Sequence, residues 1–283
     1  MKVGTVESIW RYPVKGMAGE NLQRCDLNAG GLQGDRVWAV QDVKRQEIQS
    51  CKFRPQLLQC RAQSRVDGAD GFVEVTFPDG SVLRCDDPQA SAGVSALVGR
   101  DSLLQPVRPE SDGDFYRRYK ADNHTWLEEL KATFEREEGE PLPDLDNLPP
   151  SMQEFVSLPG TFFLVSPFHI LTTASLNHMK QLHPQSDWHI ERFRPNLMID
   201  TLPGLEGLAE QDWIGKTLHI GELAIECNEP APRCGAVTRQ QGGLDADASM
   251  LRSIVRQADQ NLGIYGNILN AGLISIGDEV RLV

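Results

Sequence analysis

The residues best suited to chemistry in this chain lie within ten positions, Glu229-Pro-Ala-Pro-Arg-Cys-Gly-Ala-Val-Thr238. Pro230 and Pro232 fix φ and remove two backbone donors, so the segment reads as a stiff, non-helical arm. The arm holds the sulfur of Cys234 in a defined place beside the guanidinium of Arg233. A neighbouring cation favours thiolate, the form that attacks electrophiles and binds soft metals. On these ten residues alone, a small buried hydrophobe is an equal alternative for Cys234.

Other basic residues also sit beside proline or glycine, in Arg11-Tyr-Pro-Val-Lys15, Asp35-Arg36, Lys52-Phe-Arg54-Pro55 and Arg192-Phe-Arg194-Pro-Asn196. Each island alone reads as solvated surface; together they point to a shared site for a small anion. The loop Ala29-Gly-Gly-Leu-Gln-Gly34 precedes Arg36 but no helix pattern follows it. It is therefore neither a Walker nor a dinucleotide loop, and a plain turn is its default reading. The histidines (124, 169, 178, 183, 189, 219) show no HExxH or paired-ligand spacing, which argues against zinc. His189, close to the Arg192–Asn196 turn, is the one histidine retained as a distant site candidate. A GxSxG elbow is missing, which weakens a hydrolase reading.

The elements that must position these residues are mostly strands. Alternation predicts strands over 2–10, 22–27, 37–41 and 57–63, then a hairpin of 72–77 with 81–85 around Pro78-Asp-Gly80. Asp87-Pro88 predicts a capped helix carrying Val94, Leu97 and Val98 on one face. Residues 109–150 read as an acidic, Pro-rich connector with one helix within 124–136. Beyond it come an apolar strand over 161–165, a helix capped by Thr172, and strands over 197–200, 213–220 and 222–227. An amphipathic helix over 247–262 and strands over 264–269, 273–276 and 279–283 finish the chain. The short, evenly spaced strands of this second half predict a barrel. The fold class is thus mainly β (α+β): a β domain over 1–108, the connector 109–150 and a β-barrel over 151–283.

Composition narrows the function. The chain of 283 residues carries a formal net charge of −12, and residues 110–147 hold 12 acidic against 5 basic side chains. Nucleic acid is not expected as a partner against that background. A mean hydropathy of −0.35 and short apolar runs predict no membrane span. Six cysteines without a CxxC pair, behind an N-terminus that enters strand pattern at once, predict reduced thiols and the cytoplasm. No CxxxxCxxC run suggests a built-in plant-type iron–sulfur cluster.

Taken with Tyr12-Pro-Val-Lys15 and Arg194-Pro-Asn196, Cys234 makes the chain resemble the MOSC family, whose relatives include the mitochondrial amidoxime-reducing component and its bacterial homologues. The resemblance covers nearly the whole chain. Ile9–Lys15, Gly34-Asp-Arg36 and Phe53-Arg-Pro-Gln-Leu57 resemble the N-terminal MOSC-associated β domain. Ser166-Pro167, Ile170–Leu176, Arg192–Asn196, Arg233-Cys234 and the ending Gly263-Ile-Tyr-Gly266 to Gly277-Asp278-Glu-Val280 resemble the MOSC barrel.

That resemblance implies a molybdenum cofactor between the two domains, with Cys234 as the metal ligand. It implies that Lys15 and Arg36 hold the phosphate end, and that Arg194 and Asn196 hydrogen-bond the pterin and its tail. Arg192, Ser166 and Thr238 are further cofactor-binding candidates, and pyridoxal phosphate is a more remote option at family level. The implied activity is reduction of small N-hydroxylated compounds, with electrons from an external ferredoxin-, flavodoxin- or cytochrome-type system. Two alternatives are a cofactor or persulfide carrier that uses Cys234, and a binding module in which Cys234 is structural. The sequence departs from the family where Gly235-Ala-Val-Thr-Arg-Gln240 replaces a run ending in Asp-Pro, and where apolar residues 162–165 replace an acidic residue before Ser166.

Overall fold

The computed structural model describes residues 1–67, 70–119, 126–163 and 165–283. Among the described residues seven strands close a barrel. In order round it they are Leu197–Thr201, Phe168–Thr172, Asn261–Ile268, Leu223–Pro232, Thr217–Ile220, Glu279–Leu282 and Lys2–Arg11, which pairs back with Leu197–Thr201. The pairings are antiparallel except that of Phe168–Thr172 with Leu197–Thr201. A parallel pair needs a crossover. The helix Thr173–Leu182 lies within it, and the Thr172 hydroxyl caps that helix by accepting from the Ser175 N–H, as the sequence predicts. Val3, Ile9, Ile170, Leu197, Ile225 and Ile264 fill the interior and are fully buried, the inward half of each alternating pattern.

A second core gathers Val14, Met17, Val40, Leu57, Val75 and Val94. Two three-stranded sheets and the helix Pro88–Val98 enclose it. One sheet is Arg61–Asp67, Asp70–Thr76 and Val82–Arg84, and the other Ser102–Pro106, Trp38–Asp42 and Glu47–Ile48. The Asp87 carboxylate accepts from the Gln89 N–H and Pro88 follows it, the expected N-terminal cap. The two cores are laced together. The first strand of the chain sits in the barrel, and Arg24–Asn28 pairs with Gly272–Ser275 near the chain's end. A third core lies outside the barrel, where Met179, Trp188, Met198, Leu251, Ile254 and Leu262 pack between helices Thr173–Leu182 and Ala248–Gln257 and the barrel wall.

The architecture is mainly β, as expected, with local corrections. Residues 57–63 do not form one strand. Pro55 at the first helical position starts a 3₁₀ turn, Pro55–Gln59, and the strand begins at Arg61. The described part of 161–165 is a turn in which the Leu158 N–H donates to the Phe163 carbonyl at 2.9 Å. Its apolar side chains serve a local aromatic cluster, Phe162 with Phe115 and Tyr116, instead of a sheet. The strand predicted over 22–27 is split at Gln23 into Glu20–Leu22 and Arg24–Asn28. The strand expected from 213 starts at Thr217, Trp213 closing a 3₁₀ turn before it. The helix predicted over 247–262 ends at Gln257, and Asn261 already belongs to the next strand. The connector helix is Trp126–Ala132; His124 and the expected start of that helix lie outside the described residues. Among the described residues no helix is long and apolar enough to cross a membrane.

Candidate functional site

The arm to Cys234 is the far end of a ten-residue strand, Leu223–Pro232. Its register against Asn261–Ile268 shifts between Cys227 and Glu229 and again between Pro230 and Pro232. Proline offers no ladder donor, so the pairing loosens there and the chain leaves the sheet. Cys234 follows in extended conformation, part-buried, just before a short turn, Gly235–Thr238. The Thr238 hydroxyl donates to the Gly235 carbonyl at 2.8 Å and closes that turn.

Cys234 opens into a cleft of about 230 Å³ between the two cores. Among the described residues seven basic side chains line it: Lys15, Arg36, Lys52, Arg118, Arg192, Arg194 and Arg233. No acidic side chain is among the described lining residues, so the field there is positive although the chain is acidic. Five sequence islands converge on it. Within them Arg11 and Arg54 turn away to carboxylates, Arg11 to Glu20 at 2.9 Å and Arg54 to Asp42 at 3.3 Å.

Backbone geometry places two of these cations. Arg36 has φ +50 and Arg194 φ +56, left-handed positions that cost a non-glycine residue free energy. The network beneath explains why they persist. The Asp35 carboxylate accepts from the Tyr12 N–H at 2.6 Å and from the Asn196 amide at 3.2 Å. Asn196 also donates to the Trp10 carbonyl and accepts from the His169 N–H. Asn196 and Asp35 therefore tie the turn bearing Arg36 to the turn bearing Arg194. Burial raises the Asp35 carboxyl, and the Arg36 charge and these donors oppose that. Above the network the Arg194 guanidinium stacks 4.3 Å from the Tyr12 ring centre and donates to the Met17 carbonyl. Arg36 lies 4.6 Å from the Phe163 ring centre, with Asp35 no nearer than 3.9 Å.

Lys15 donates to Ser157 Oγ at 2.9 Å and to the Phe162 carbonyl at 2.7 Å. Burial, then the charges of Arg36 and Lys52, pull its ammonium down to about 7. Arg233 donates from Nη2 to the Phe193 carbonyl at 2.6 Å, and its Nη1 lies 3.4 Å from His169 Nε2. Its Nε is buried without a hydrogen-bond partner among the described residues, an uncommon state for a charged donor.

Of the residues singled out by sequence, Cys234, Lys15, Arg36, Ser166, Arg192 and Arg194 line the cleft. Asn196 and Thr238 lie behind the lining, engaged in the bonds described above. Arg192 is 2% exposed, and its guanidinium donates to the carbonyls of Asp187, Val237, Arg239 and Asp245. It braces the loop after Cys234. Ser166 Oγ donates to the Gly266 carbonyl at 3.1 Å. His189 is exposed, caps the turn Ile190–Arg192 and does not reach the cleft. Sequence reasoning passed over Cys51, Arg118, His169 and Tyr265, which all line it. Cys51 carried a signal in its place beside the Lys52 island and Tyr265 in the Gly263-Ile-Tyr-Gly266 run; Arg118 and His169 carried none.

The acidic connector covers one side of the cleft. Leu130 contributes to the lining, and Phe134 lies 5.4 Å from the Lys52 ammonium. The Gly235 N–H donates to the Thr133 carbonyl at 2.9 Å, and Arg136 donates to the Arg233 carbonyl at 3.0 Å. Glu135 presses against Gly235 so closely that a Cβ there would lie 2.3 Å from its carboxylate carbon. A side chain at 235 would displace the Glu135 carboxylate.

Two family models match the chain: the MOSC N-terminal beta barrel domain over residues 3–105 and the MOSC domain over residues 159–281. The chain belongs to the MOSC family. Among curated relatives it is 24% identical over 314 residues to mitochondrial amidoxime reducing component 2 of Bos taurus, covering 99% of this chain and 83% of that protein. It is 26% identical over 263 residues to molybdenum cofactor sulfurase of Drosophila erecta, covering 90% of this chain. The chain spans only 30% of the length of that sulfurase. Among solved structures, the YUAD protein from Bacillus subtilis matches with a TM-score of 0.44 and 12% identity, over 99% of this chain and 95% of that one. This MOSC protein thus places Cys234 where its two family-matched regions meet.

Proposed function

We propose that the chain binds a molybdenum cofactor in this cleft and reduces N-hydroxylated compounds, using electrons from an external electron-transfer protein. The observation that carries the reading is the cleft itself: a part-buried thiol among seven cations, with no carboxylate in the described lining and a buried Arg233 Nε left without a partner. Among the described residues no group of three His, Cys, Asp or Glu side chains could hold a metal ion. A metal in this cleft would therefore take Cys234 as its protein ligand and its other donors from a bound group. A pterin dithiolene with a phosphate is such a group, and the lining suits it. Thiolate is a soft, charge-donating ligand. Arg36, Lys15 and Lys52 form a cationic wall for the phosphate, and Arg194 and Arg233 offer planar donors to a heterocycle edge.

The cofactor, when bound, supplies a two-electron centre able to accept an oxygen atom. The chain's own residues do the rest. Cys234 fixes the depth at which the ligand sits, because its backbone is set by the proline-broken strand and the Gly235–Thr238 turn. Arg192 holds that turn from behind. The connector residues Leu130 and Phe134 cover one side and keep water from it.

A second reading, a sulfur carrier with persulfide on Cys234, draws on the relatives named molybdenum cofactor sulfurase. One experiment separates the two. Protein from a cofactor-competent host is analysed for metal and for cyanide-releasable sulfur, in wild type and Cys234→Ser. The reductase reading expects about one molybdenum per chain in the wild type and its loss in the variant. It also expects dithionite-driven reduction of a hydroxylaminopurine. Metal-free protein with releasable sulfur on Cys234 would replace it with the carrier.

A further inference from the structure

His169 is buried on the cleft wall, 4% exposed, within the strand Phe168–Thr172. Its ring is held from every side. Two carbonyls hydrogen-bond the ring, that of Arg194 at 3.3 Å from Nδ1 and that of Leu262, so the Arg233 guanidinium, which can only donate, decides the tautomer and Nδ1 carries the hydrogen. Nε2 is then an acceptor, and it lies 3.4 Å from the Nη1 donor of Arg233. Burial and the Arg233 charge push the imidazole down to about 3, so it stays neutral and keeps that lone pair. Tyr265 packs against the ring at 5.7 Å between centres. Opposite it is Gly263 at φ +84, where a Cβ would come within 2.3 Å of Nε2. Gly263 is itself pinned, its N–H donating to buried Glu210 at 3.1 Å and its carbonyl accepting from Gln211 at 2.8 Å.

The ring thus bridges two arginines delivered by distant segments, accepting from the side chain of one and donating to the strained backbone of the other. The Nη1 contacts to His169 and, at 3.5 Å, to the Leu262 carbonyl, with the Nη2 bond to Phe193, fix the plane of the Arg233 guanidinium. What remains uncommitted is Nε, on the edge it shares with Nη2, the edge that binds an oxyanion through paired donors. We propose that His169, anchored on the Arg194 carbonyl, is a positioning residue that locks the Arg233 guanidinium in place to present paired donors to an oxyanionic ligand in the cleft. The proposal rests on reading the cleft as the site of an anionic cofactor, but it concerns the order of the arginines and is testable without the cofactor.

The probe is inorganic sulfate, titrated calorimetrically into metal-free protein. His169→Leu removes both bonds and should weaken sulfate binding at least tenfold while the thermal midpoint shows the fold retained. His169→Gln can still donate to Arg194 and accept from Arg233, and should recover most of the affinity. Because His169 acts through Arg233, the double variant His169→Leu with Arg233→Gln should bind no more weakly than Arg233→Gln alone. Additive losses, wild-type affinity in His169→Leu, failure of glutamine to rescue, or no sulfate binding by the wild type would each overturn the proposal. Molybdenum content of the wild type is measured separately. Metal-free protein with intact His169–Arg233 coupling would count against the cofactor reading and leave the positioning role standing.

Discussion

The two walls of the cleft use their cations differently. On the barrel wall the arginines are committed to the protein: Arg192 to four backbone carbonyls, Arg194 to Met17 and Arg233 to Phe193. On the facing wall, among the described residues, Arg36 has a ring face and a carboxylate at 3.9 Å, and Lys52 a ring face at 5.4 Å. Lys15 on that wall makes two hydrogen bonds, yet burial and the charges of its neighbours disfavour its ammonium. One wall thus builds a shape from its arginines, and the other keeps positive charge in reserve for an anion. Breaking the Arg192 brace should cost stability, whereas losing the reserve charge, or the uncommitted edge of Arg233 on the first wall, should cost affinity.

The largest effect belongs to Arg192→Ala. It strands four carbonyls around a side chain that is 2% exposed, and charged-donor hydrogen bonds of this kind support a loss of about 2–4 kcal/mol. Chemical denaturation should show that loss, and the loop after Cys234 should become the first segment to exchange its amides. A variant as stable as wild type would show that the barrel wall is not organised by Arg192.

Lys15→Met should do the reverse, leaving the fold and weakening sulfate binding about tenfold or more. The pH dependence has a definite sign. Free Lys15 loses its proton above about 7, and a bound dianion raises that value by stabilising the ammonium. Binding should therefore take up a proton above pH 7, and affinity should fall as pH rises through that point. Sulfate keeps its own charge in this range. Calorimetry in buffers of different ionisation enthalpy reads the proton directly, and Lys15→Met should abolish it. Equal proton uptake in that variant would assign the reserve charge to another group.

The same division explains what was legible in the sequence. The Asp87 and Thr172 caps are local and appear where predicted, while strand alternation gave the mainly β architecture but misplaced several boundaries. The cations of both walls, Arg118 aside, announced themselves as basic islands beside glycine and proline, but the islands did not show which of them the protein commits to its own carbonyls. Closure of the barrel by its first strand was not legible, since Lys2–Arg11 meets residues 197–201 and 279–281 far along the chain. Neither was the difference between Arg192 and Arg194, two residues apart, one a brace and the other facing the cleft. His169 escaped for a related reason. It sits in an apolar strand, and its partners are an arginine and a carbonyl, for which no sequence spacing exists. Residues 161–163 misled in the opposite direction, because an apolar run signals burial but not the element that buries it.

The smallest effect concerns the connector, which touches both walls. Arg252 pairs with Glu140, Arg256 with Glu137 and Arg239 with Glu135, while Phe134 reaches over to Lys52. Arg256, Arg239 and their partners are exposed enough for salt to screen them, and such pairs contribute about 1 kcal/mol or less each. Glu140→Gln removes the nearest carboxylate from a largely buried Arg252 but leaves it an amide oxygen to donate to, so it should cost about 1 kcal/mol and loosen the connector. Limited proteolysis between residues 134 and 147 should quicken a few-fold in the variant, and wild type should match it only in molar salt. If cleavage is unchanged by both, the connector is held by Leu130, Phe134 and the Thr133–Gly235 bond alone. It would then belong with the shape-building wall rather than with the charges that face it.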